Sequence, residues 1–397
     1  MKDWWLRTDE WQFDEMVQWR RYLHMHPELS YEEKETSSFI AQKLEEFGIP
    51  VTRHVGGHGL VGVIRSGSGS GPVIALRADI DALAIQDEKQ CEYRSTVPGV
   101  MHACGHDGHT AGLLGVARML MKHRDQWQGE IRLLFQPAEE VSPGGAQAMI
   151  EAGALDGVDA VYGIHLWAPI PVGTVATRPG PMMASVDDFF LTIYGKGGHG
   201  GMPHQCTDAV VIGAALVQQL QTIVSRNVSP LDTAVISVGS LQAGTTQNVI
   251  ADRAVLKGTV RAFTQEVRLL LQERIEQMIK YTCAMYNAEY ELEYRIGYPT
   301  LVNDEHEAAR MLRVAEANFG KEHVAVADMI MPAEDFAYYG SKVPACFAFV
   351  GAGNEQYAKY SHHHPLFDID EKAMLQAGQW LIATAMDALT ALETHTK

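Results

Sequence analysis

The sequence predicts an α/β fold in which a small ferredoxin-like α+β domain interrupts a larger α/β domain. In the first part of the chain, short apolar runs that suit buried strands alternate with helical patterns, as in layered α/β domains. In the middle, the predicted elements follow the order β-α-β-β-α-β of the ferredoxin-like unit. We therefore expect the larger domain to comprise residues 1–186 and 299–397, and the inserted domain to comprise residues 187–298.

Composition and charge exclude several classes of protein. The 397 residues are 46% hydrophobic and carry a net charge of −17, from 32 basic and 49 acidic residues. This balance argues against nucleic acid or an anionic membrane as the main partner. No uninterrupted apolar run reaches about 18 residues, so no membrane-spanning helix is expected. The stretch Met1–Arg7 lacks the apolar segment of a signal peptide.

The cysteines indicate a reducing compartment. Five cysteines are scattered along the chain, and this odd, dispersed set does not resemble a disulfide framework. A metal-bound thiolate would also be protected from oxidation in such a compartment. We therefore expect a cytoplasmic protein.

The N-terminal elements can be predicted in order. Residues 10–48 show helical patterns, and Ser30-Tyr31-Glu32-Glu33 has the spacing of a capping box that starts the second helix. Val51 to Ile64 predicts a pair of strands. The glycine- and serine-rich residues 66–72 predict a connector to the next strand, since no Lys-Ser/Thr pair follows them as in a phosphate-binding loop.

Polar side chains follow three predicted strands at the points where these strands end. Residues 73–76 lead into Asp79 and Asp81, residues 131–135 lead into Glu139 and Glu140, and residues 158–164 lead into His165. Helices at 109–123 and 144–153 separate the strands. Since α/β sheets bind ligands at the carboxyl ends of their strands, we expect these side chains to form one site.

The rest of the chain supplies the inserted domain and the closing elements of the larger one. We expect strands at 189–194, 234–238, 254–260 and 288–295, helices at 208–224 and 266–281, and then a helix at 304–318, a strand at 346–350 and a helix at 371–392.

The segment Met101–Thr110 has the strongest chemical signal in the chain. It contains one thiol, three imidazoles and one carboxylate within ten residues, and an apolar helical pattern follows it directly. Thiolates and imidazoles are ligands of late transition metals. A structural zinc knuckle is the alternative, but it usually needs a second nearby Cys/His pair. The segment therefore predicts a functional metal site at a loop-to-helix junction.

Glu139 and Glu140 form an adjacent pair after an apolar strand. Such a pair can give one carboxylate to a metal and leave the other beside a bound water as a general base. The alternative is a solvated acidic turn.

The remaining histidines each have an ordinary alternative. His165 could be a buried core histidine. His362, His363 and His364 could form a solvated loop, and His199, flanked by glycines, could be simply exposed.

Nine motifs together resemble the metal-dependent aminoacylase/carboxypeptidase superfamily. They are most similar to its branch of hippurate hydrolases, N-acyl-amino-acid amidohydrolases and plant indole-acetyl-amino-acid hydrolases. The resemblance extends from about His26 to residue 380. The motifs are ALRADIDALAI (75–85), GVMHACGHDGHT (99–110), LLFQPAEE (133–140), GIHLWAPIPVGT (163–174), GKGGHGGMPH (195–204), GTTQNVIADRA (244–254), GTVRAF (258–263), MPAEDFA (331–337) and HHHPLF (362–367).

This resemblance implies a zinc-exopeptidase-like catalytic domain with an inserted lid domain that also mediates dimerisation. It implies a binuclear metal centre, with zinc favoured and manganese, cobalt or nickel as alternatives. Glu139 would be the general base and His199 would stabilise the oxyanion. The implied metal ligands are Cys104, His106, Glu140, His165 and His363, and the implied ligand-orienting or substrate-binding residues are Asp79, Asp81, Asn248 and Arg261.

The expected function is metal-dependent hydrolysis of N-acyl amino acids, with acetyl, benzoyl or similar acyl groups, to a carboxylate and a free amino acid. The substrate is a small molecule, and a homodimer or dimer-based oligomer is expected. One alternative is a dipeptidase or aminopeptidase of the same fold. The other is a non-catalytic, metal-containing protein that binds amino acids.

Overall fold

The computed structural model describes residues 3–67 and 71–395, so part of the predicted 66–72 connector lies outside the described residues. The helices are Phe13–Met25 (α1), Lys34–Glu46 (α2), His106–Lys122 (α3), Ala146–Glu151 (α4), Ala209–Arg226 (α5), Gln265–Met285 (α6), Glu305–Phe319 (α7), Ala337–Gly340 (α8) and Lys372–His395 (α9). The strands are Val51–Arg53 (β1), Leu60–Ser66 (β2), Val73–Asp79 (β3), Gly129–Gln136 (β4), Ala160–Pro171 (β5), Val175–Thr177 (β6), Gly180–Met183 (β7), Ser185–Tyr194 (β8), Gly198–His199 (β9), Ala234–Ala243 (β10), Val249–Ile250 (β11), Arg253–Ala262 (β12), Glu289–Ile296 (β13), Leu301–Asn303 (β14), Val324–Val326 (β15) and Ala345–Gly353 (β16).

The chain divides into two compact units. The first comprises Met1–Met182, Val302–Asp328 and Asp335–Lys397, and the second comprises Met183–Leu301 and Met329–Glu334. The domain limits expected from the sequence, at 186/187 and 298/299, stay a prediction.

The first unit is built on a mixed sheet. Over the described residues, its strand order is β1-β2-β4-β3-β5-β16-β6-β15. The neighbours β4, β3, β5 and β16 are parallel, and β2 pairs with β4 in the antiparallel direction. The parallel strands are almost fully buried, which explains their near-continuous apolar sequences. Their carboxyl ends therefore meet along one edge of the sheet.

The helix α3 is the central helix of this unit. It packs against β3 and against α1, α2 and α9. Most of its residues are buried, including Leu113, Leu114 and Val116. The packing around α3 is tight enough to require glycine at Gly378 of α9, because a Cβ added there would lie 2.6 Å from the ring of Trp11. The dense packing fixes the start of α3, where the cysteine- and histidine-rich segment lies.

The second unit contains an antiparallel sheet with the strand order β10-β12-β8-β13. In chain order β8, β10, β12, β13 this is the arrangement 2-3-1-4, and α5 and α6 pack on the sheet. The predicted ferredoxin-like unit, and with it the predicted α/β fold class, is confirmed.

The helix α5 is long and apolar enough to cross a membrane by length and composition alone. In the structure it is a layer of the second unit, because Ile212, Leu216 and Ile223 are buried in the hydrophobic core beneath the sheet. Asp208 caps it by accepting the N–H of Val210 at 2.9 Å. Its apolar composition therefore has a structural explanation within the folded unit.

Two local predictions are wrong. The residues Ser30 to Glu33 do not form a capping box, because the helix starts at Lys34 and its N-cap residue, Glu33, makes no capping side-chain hydrogen bond. His165 does not follow a strand but lies inside β5, which continues to Pro171. The strand is longer than its apolar run because β16 pairs with it beyond His165, as in the pair of Val350 with Leu166.

Candidate metal centre

The carboxyl edge of the parallel strands gathers most of the predicted site residues. Asp79 is the last residue of β3, and Glu139 and Glu140 follow β4 by three and four residues. His165 lies two residues beyond Gly163, which forms the last β3–β5 pair with Arg77. It is therefore level with the end of β3. The extension of β5 places His165 at the same edge as the carboxylates.

The backbone at Gly105 joins Cys104 to the start of α3. Gly105 has φ +98°, a left-handed conformation that is accessible to glycine at little cost. His106 is the first residue of the helix, which therefore begins three residues earlier than the 109–123 expected from the sequence. Cys104 and His106 are buried, at 8% and 1% exposure. The turn thus presents a thiol and an imidazole from one short segment.

The ligand atoms form overlapping groups, within each of which all atoms lie within 4.8 Å of one another. Cys104 and Glu140 group with His363, Glu140 and Glu139 group with His106, and Cys104 also groups with His165 and His362. Cys104 and Glu140 are therefore shared between groups. Two neighbouring ions that share a ligand would need overlapping groups of this kind.

The imidazoles of His106 and His165 are oriented by their Nδ1 atoms. His106 Nδ1 lies 2.9 Å from the carbonyl oxygen of Asp81 and 3.2 Å from its Oδ1. His165 Nδ1 donates to the carbonyl of Leu166 at 3.1 Å. With Nδ1 as the donor in each ring, Nε2 carries a lone pair, and His165 Nε2 lies 3.4 Å from the sulfur of Cys104. This is the hydrogen-bond pattern of metal-binding histidines.

The geometry distinguishes among the three consecutive histidines. His362 Nε2 accepts the N–H of Ala168 at 3.1 Å, so the lone pair of this nitrogen already binds the backbone of β5. His364 Nδ1 accepts the N–H of Leu366 at 3.0 Å. His363 Nε2 lies 3.4 Å from Glu140 Oε1. The histidine that the family pattern selects is thus the one whose ring nitrogen faces the carboxylate.

Unsatisfied polar atoms show that the site fits divalent cations. Among the described residues, His106 Nε2 and Glu140 Oε1 are buried without a hydrogen-bond partner, and they lie 3.8 Å apart. Burying such atoms is unfavourable unless another group binds them. Sulfur, nitrogen and carboxylate oxygen together match zinc and similar late first-row ions.

The charges of the site also indicate that it fits divalent cations. Burial, together with Glu140 and Glu139, raises the pKa of the Cys104 thiol well above its usual value. Burial disfavours a charged His106, but Asp79 and Asp81 outweigh it and raise the pKa of this imidazole to about 10. In both cases the neighbouring carboxylates raise the pKa, and bound cations would offset the negative charge of these carboxylates.

His109 is a residue of the site that the sequence reasoning missed. Its Nδ1 lies 2.6 Å from Asp79 Oδ1, and its Nε2 accepts the N–H of Leu166 at 2.8 Å. It thereby connects the end of β3 to the residue that follows His165. The available signal was its position three residues after His106 in a helix, which places both rings on one face.

The remaining predicted residues lie in the second unit. His199 is exposed on β9 and pairs with Val249 of β11, and the N–H of Gly200 donates to the carbonyl of Asn248 at 2.8 Å. Arg261 lies on β12 and is half-buried. The structure thus places His199 on β9 and Asn248 directly before its partner strand β11, and it places Arg261 on another sheet.

The fold and this cluster define a metal-dependent hydrolase of amide bonds with a two-metal centre. The chain belongs to the peptidase family M20/M25/M40, whose sequence profile matches residues 75–387. It is 44% identical over 379 residues to the N-acetyl-L-cysteine deacetylase of Bacillus subtilis, covering 94% of this chain and 88% of that one. It is 47% identical over 290 residues to the N-acyl-L-amino acid amidohydrolase of Geobacillus stearothermophilus, covering 73% of this chain and 78% of that one. The crystal structure of the YXEP protein of Bacillus subtilis, a dinuclear metal-binding peptidase of the M20 family, matches with a TM-score of 0.81 and 36% identity over 95% of this chain and 98% of that chain.

Replacing Asp81 by alanine should weaken metal binding by about 10- to 100-fold, since partners that orient ligands typically contribute that much. Its carboxylate contacts the His106 ring and also accepts the N–H of Glu140 at 3.0 Å. Competition with a chelating dye measures the affinity. Asp156→Ala removes an exposed carboxylate of the same unit and serves as the control. Equal affinities in the two variants would contradict the assignment.

Proposed function

We propose that this protein hydrolyses the amide bond of N-acyl amino acids and releases a carboxylate and a free amino acid. The observation that carries this proposal is the convergence of Cys104, Glu140 and His363 on shared ligand positions, with Glu139 in the same cluster. The names of the relatives that act on N-acyl-L-amino acids and N-acetyl-L-cysteine support the substrate class.

Five residues would hold the two divalent ions: Cys104, His106, Glu140, His165 and His363. Zinc is the ion we favour for this donor set, and manganese, cobalt and nickel are the alternatives to be tested. When bound, the ions supply an acidified water and polarise the amide carbonyl. Asp81 would orient His106 through its contacts with Nδ1, and Asp79 would act through His109, whose Nε2 accepts the N–H of the residue after His165.

Glu139 would act as the general base. It is nearly buried, at 7% exposure, and its carboxylate lies within the group formed by His106 and Glu140. It would take the proton of the attacking water and deliver it to the leaving nitrogen. His199 would stabilise the oxyanion of the tetrahedral intermediate, and Asn248 and Arg261 would hold the oxyanion or the substrate carboxylate, as the family resemblance implies.

A homodimer or dimer-based oligomer is part of this proposal. The strand β10 lies at the edge of its sheet, where another strand can pair with it. Exposed apolar side chains lie nearby in the chain, on α5 (Val210, Val211) and on β10 (Leu241). A molar mass of one chain by light scattering would overturn the dimer.

A cytoplasmic location is also proposed, because the five cysteines, including Cys104, are free thiols.

The decisive experiment is a substrate panel on protein stripped with a chelator and reconstituted separately with zinc, manganese, cobalt or nickel. N-acetyl- and N-benzoyl-amino acids are compared with dipeptides that have a free amino terminus. We expect metal-dependent release of amino acids from the N-acyl compounds. Faster cleavage of the dipeptides would favour the peptidase alternative, and no cleavage of any compound would favour the non-catalytic one.

A further inference from the structure

The residues that were expected to form a capping box instead contact the segment that carries Glu139 and Glu140. Glu33 is completely buried, and its Oε1 accepts the N–H of Ala138 at 2.8 Å and the N–H of Tyr31 at 2.9 Å. Ala138 directly precedes Glu139. A single carboxylate oxygen therefore joins the start of α2 to the residue before the proposed base.

The backbone at this contact is strained. Ala138 has φ +53° and Tyr31 has φ +69°, so both N–H groups that Glu33 accepts belong to residues in the left-handed conformation. Residues with a Cβ disfavour this conformation, and it persists where surrounding contacts enforce it. The same conformation directs the chain out of β4 and sets the direction in which the Glu139 side chain leaves the backbone. Glu33 is thus placed to enforce it.

Further contacts hold the rest of this segment, and the one at Glu140 does not involve Glu33 or a residue that Glu33 binds. The N–H of Glu140 donates to Asp81 Oδ2 at 3.0 Å. The hydroxyl of Tyr31 donates to the carbonyl of Val141 at 2.9 Å and accepts the N–H of Gly144 at 3.1 Å. The proposed metal ligand Glu140 is therefore held by Asp81. The N–H of Ala138, the residue before Glu139, is held by Glu33.

We propose that Glu33 is a positioning residue that holds the left-handed backbone of Ala138 and thereby fixes the direction of Glu139 for catalysis. This inference rests on the proposed function, in which Glu139 is the base. It assigns to Glu33 an effect on turnover that is separable from metal binding and from substrate affinity.

The test compares Glu33→Ala, Glu33→Gln and the double variant Glu33→Ala/Ala138→Gly. We expect Glu33→Ala to lower kcat by about 10- to 100-fold, the range that misplacement of a catalytic group produces. KM and the metal content should stay at their wild-type values. Glu33→Gln retains an oxygen that accepts both N–H groups and should keep kcat near wild type. The double variant should recover most of the loss, because glycine adopts the left-handed conformation without support.

Glu32→Ala is the matched control, since Glu32 is the exposed neighbour of Glu33. Wild-type kcat in Glu33→Ala would overturn the inference, and so would a loss that Ala138→Gly does not rescue. If Glu33→Ala does not fold, Glu33→Asp keeps the charge, shortens its reach, and allows the same comparison. Glu139→Gln is assayed in parallel. If it retains activity, the assignment of the base fails, whereas an inactive Glu139→Gln beside a fully active Glu33→Ala refutes only the role of Glu33.

Discussion

Glu139→Gln should lower kcat by about 100- to 10,000-fold while the protein retains both metal ions. The amide has nearly the same shape as the carboxylate but cannot accept the proton of the attacking water, and general bases typically contribute rate factors of this size. The five proposed ligands are unchanged, and Glu140 keeps its hydrogen bond from its own N–H to Asp81. Steady-state kinetics on an N-acyl amino acid and elemental analysis of the same sample measure both quantities.

Glu151→Gln is the control for this substitution. Glu151 is an exposed glutamate at the end of α4 whose carboxylate accepts a hydrogen bond from Gln147. We expect it to have wild-type kinetics. If Glu139→Gln keeps near-normal kcat, another group accepts the proton. If it loses its metal, Glu139 contributes to binding the ions, and the division of roles between the two adjacent carboxylates has to be reversed.

The order of elements was largely predictable from the sequence, and several of the side chains that the resemblance selects as ligands lie close together. Binary patterns alone indicated the ferredoxin-like order, because each amphipathic strand and helix of the second unit buries one face. The helix α3 was predictable from its apolar period, but its start was placed at residue 109, because the polar residues His106 and Asp107 do not show that period although they lie in the first turn. The proximity of Cys104, Glu140 and His363, which are far apart in the chain, was an expectation of the family resemblance that the structure now describes as geometry.

Long-range partners explain what the sequence could not indicate. The four residues Ser30 to Glu33 have the local spacing of a capping box, but Ser30 donates to Asp81 and Glu33 accepts the N–H of Ala138. These partners lie about 50 and 100 residues away and compete successfully with the local capping bonds. Similarly, pairing with β16 extends β5 past His165. Local sequence patterns indicate the helix and strand periods, but they do not indicate which distant polar group will bind a given side chain.

The buried ion network around Arg20 is another feature that the sequence did not reveal. Arg20 is completely buried on α1, and its Nε donates to Asp107 at 2.8 Å while its Nη2 donates to Asp368 at 2.7 Å. Asp107 directly follows the proposed ligand His106, and Asp368 lies five residues after His363. Burial would raise the pKa of Asp107, but Arg20 and His24 lower it well below its usual range. The guanidinium therefore joins two segments of the metal centre to α1.

Arg20→Met should lower the free energy of unfolding by about 3–5 kcal/mol, because it leaves buried carboxylates without their cation. Denaturant titration of the metal-free protein measures this, since bound metal would itself shift the midpoint. Arg21→Met is a closely matched control. Arg21 is 42% exposed and pairs with Glu371, so its loss should cost about 1 kcal/mol or less. Equal effects of the two substitutions would contradict the network. A larger effect at Arg20, accompanied by weaker metal binding in the folded variant, would show that the charges on α1 maintain the spacing between the His106 and His363 segments.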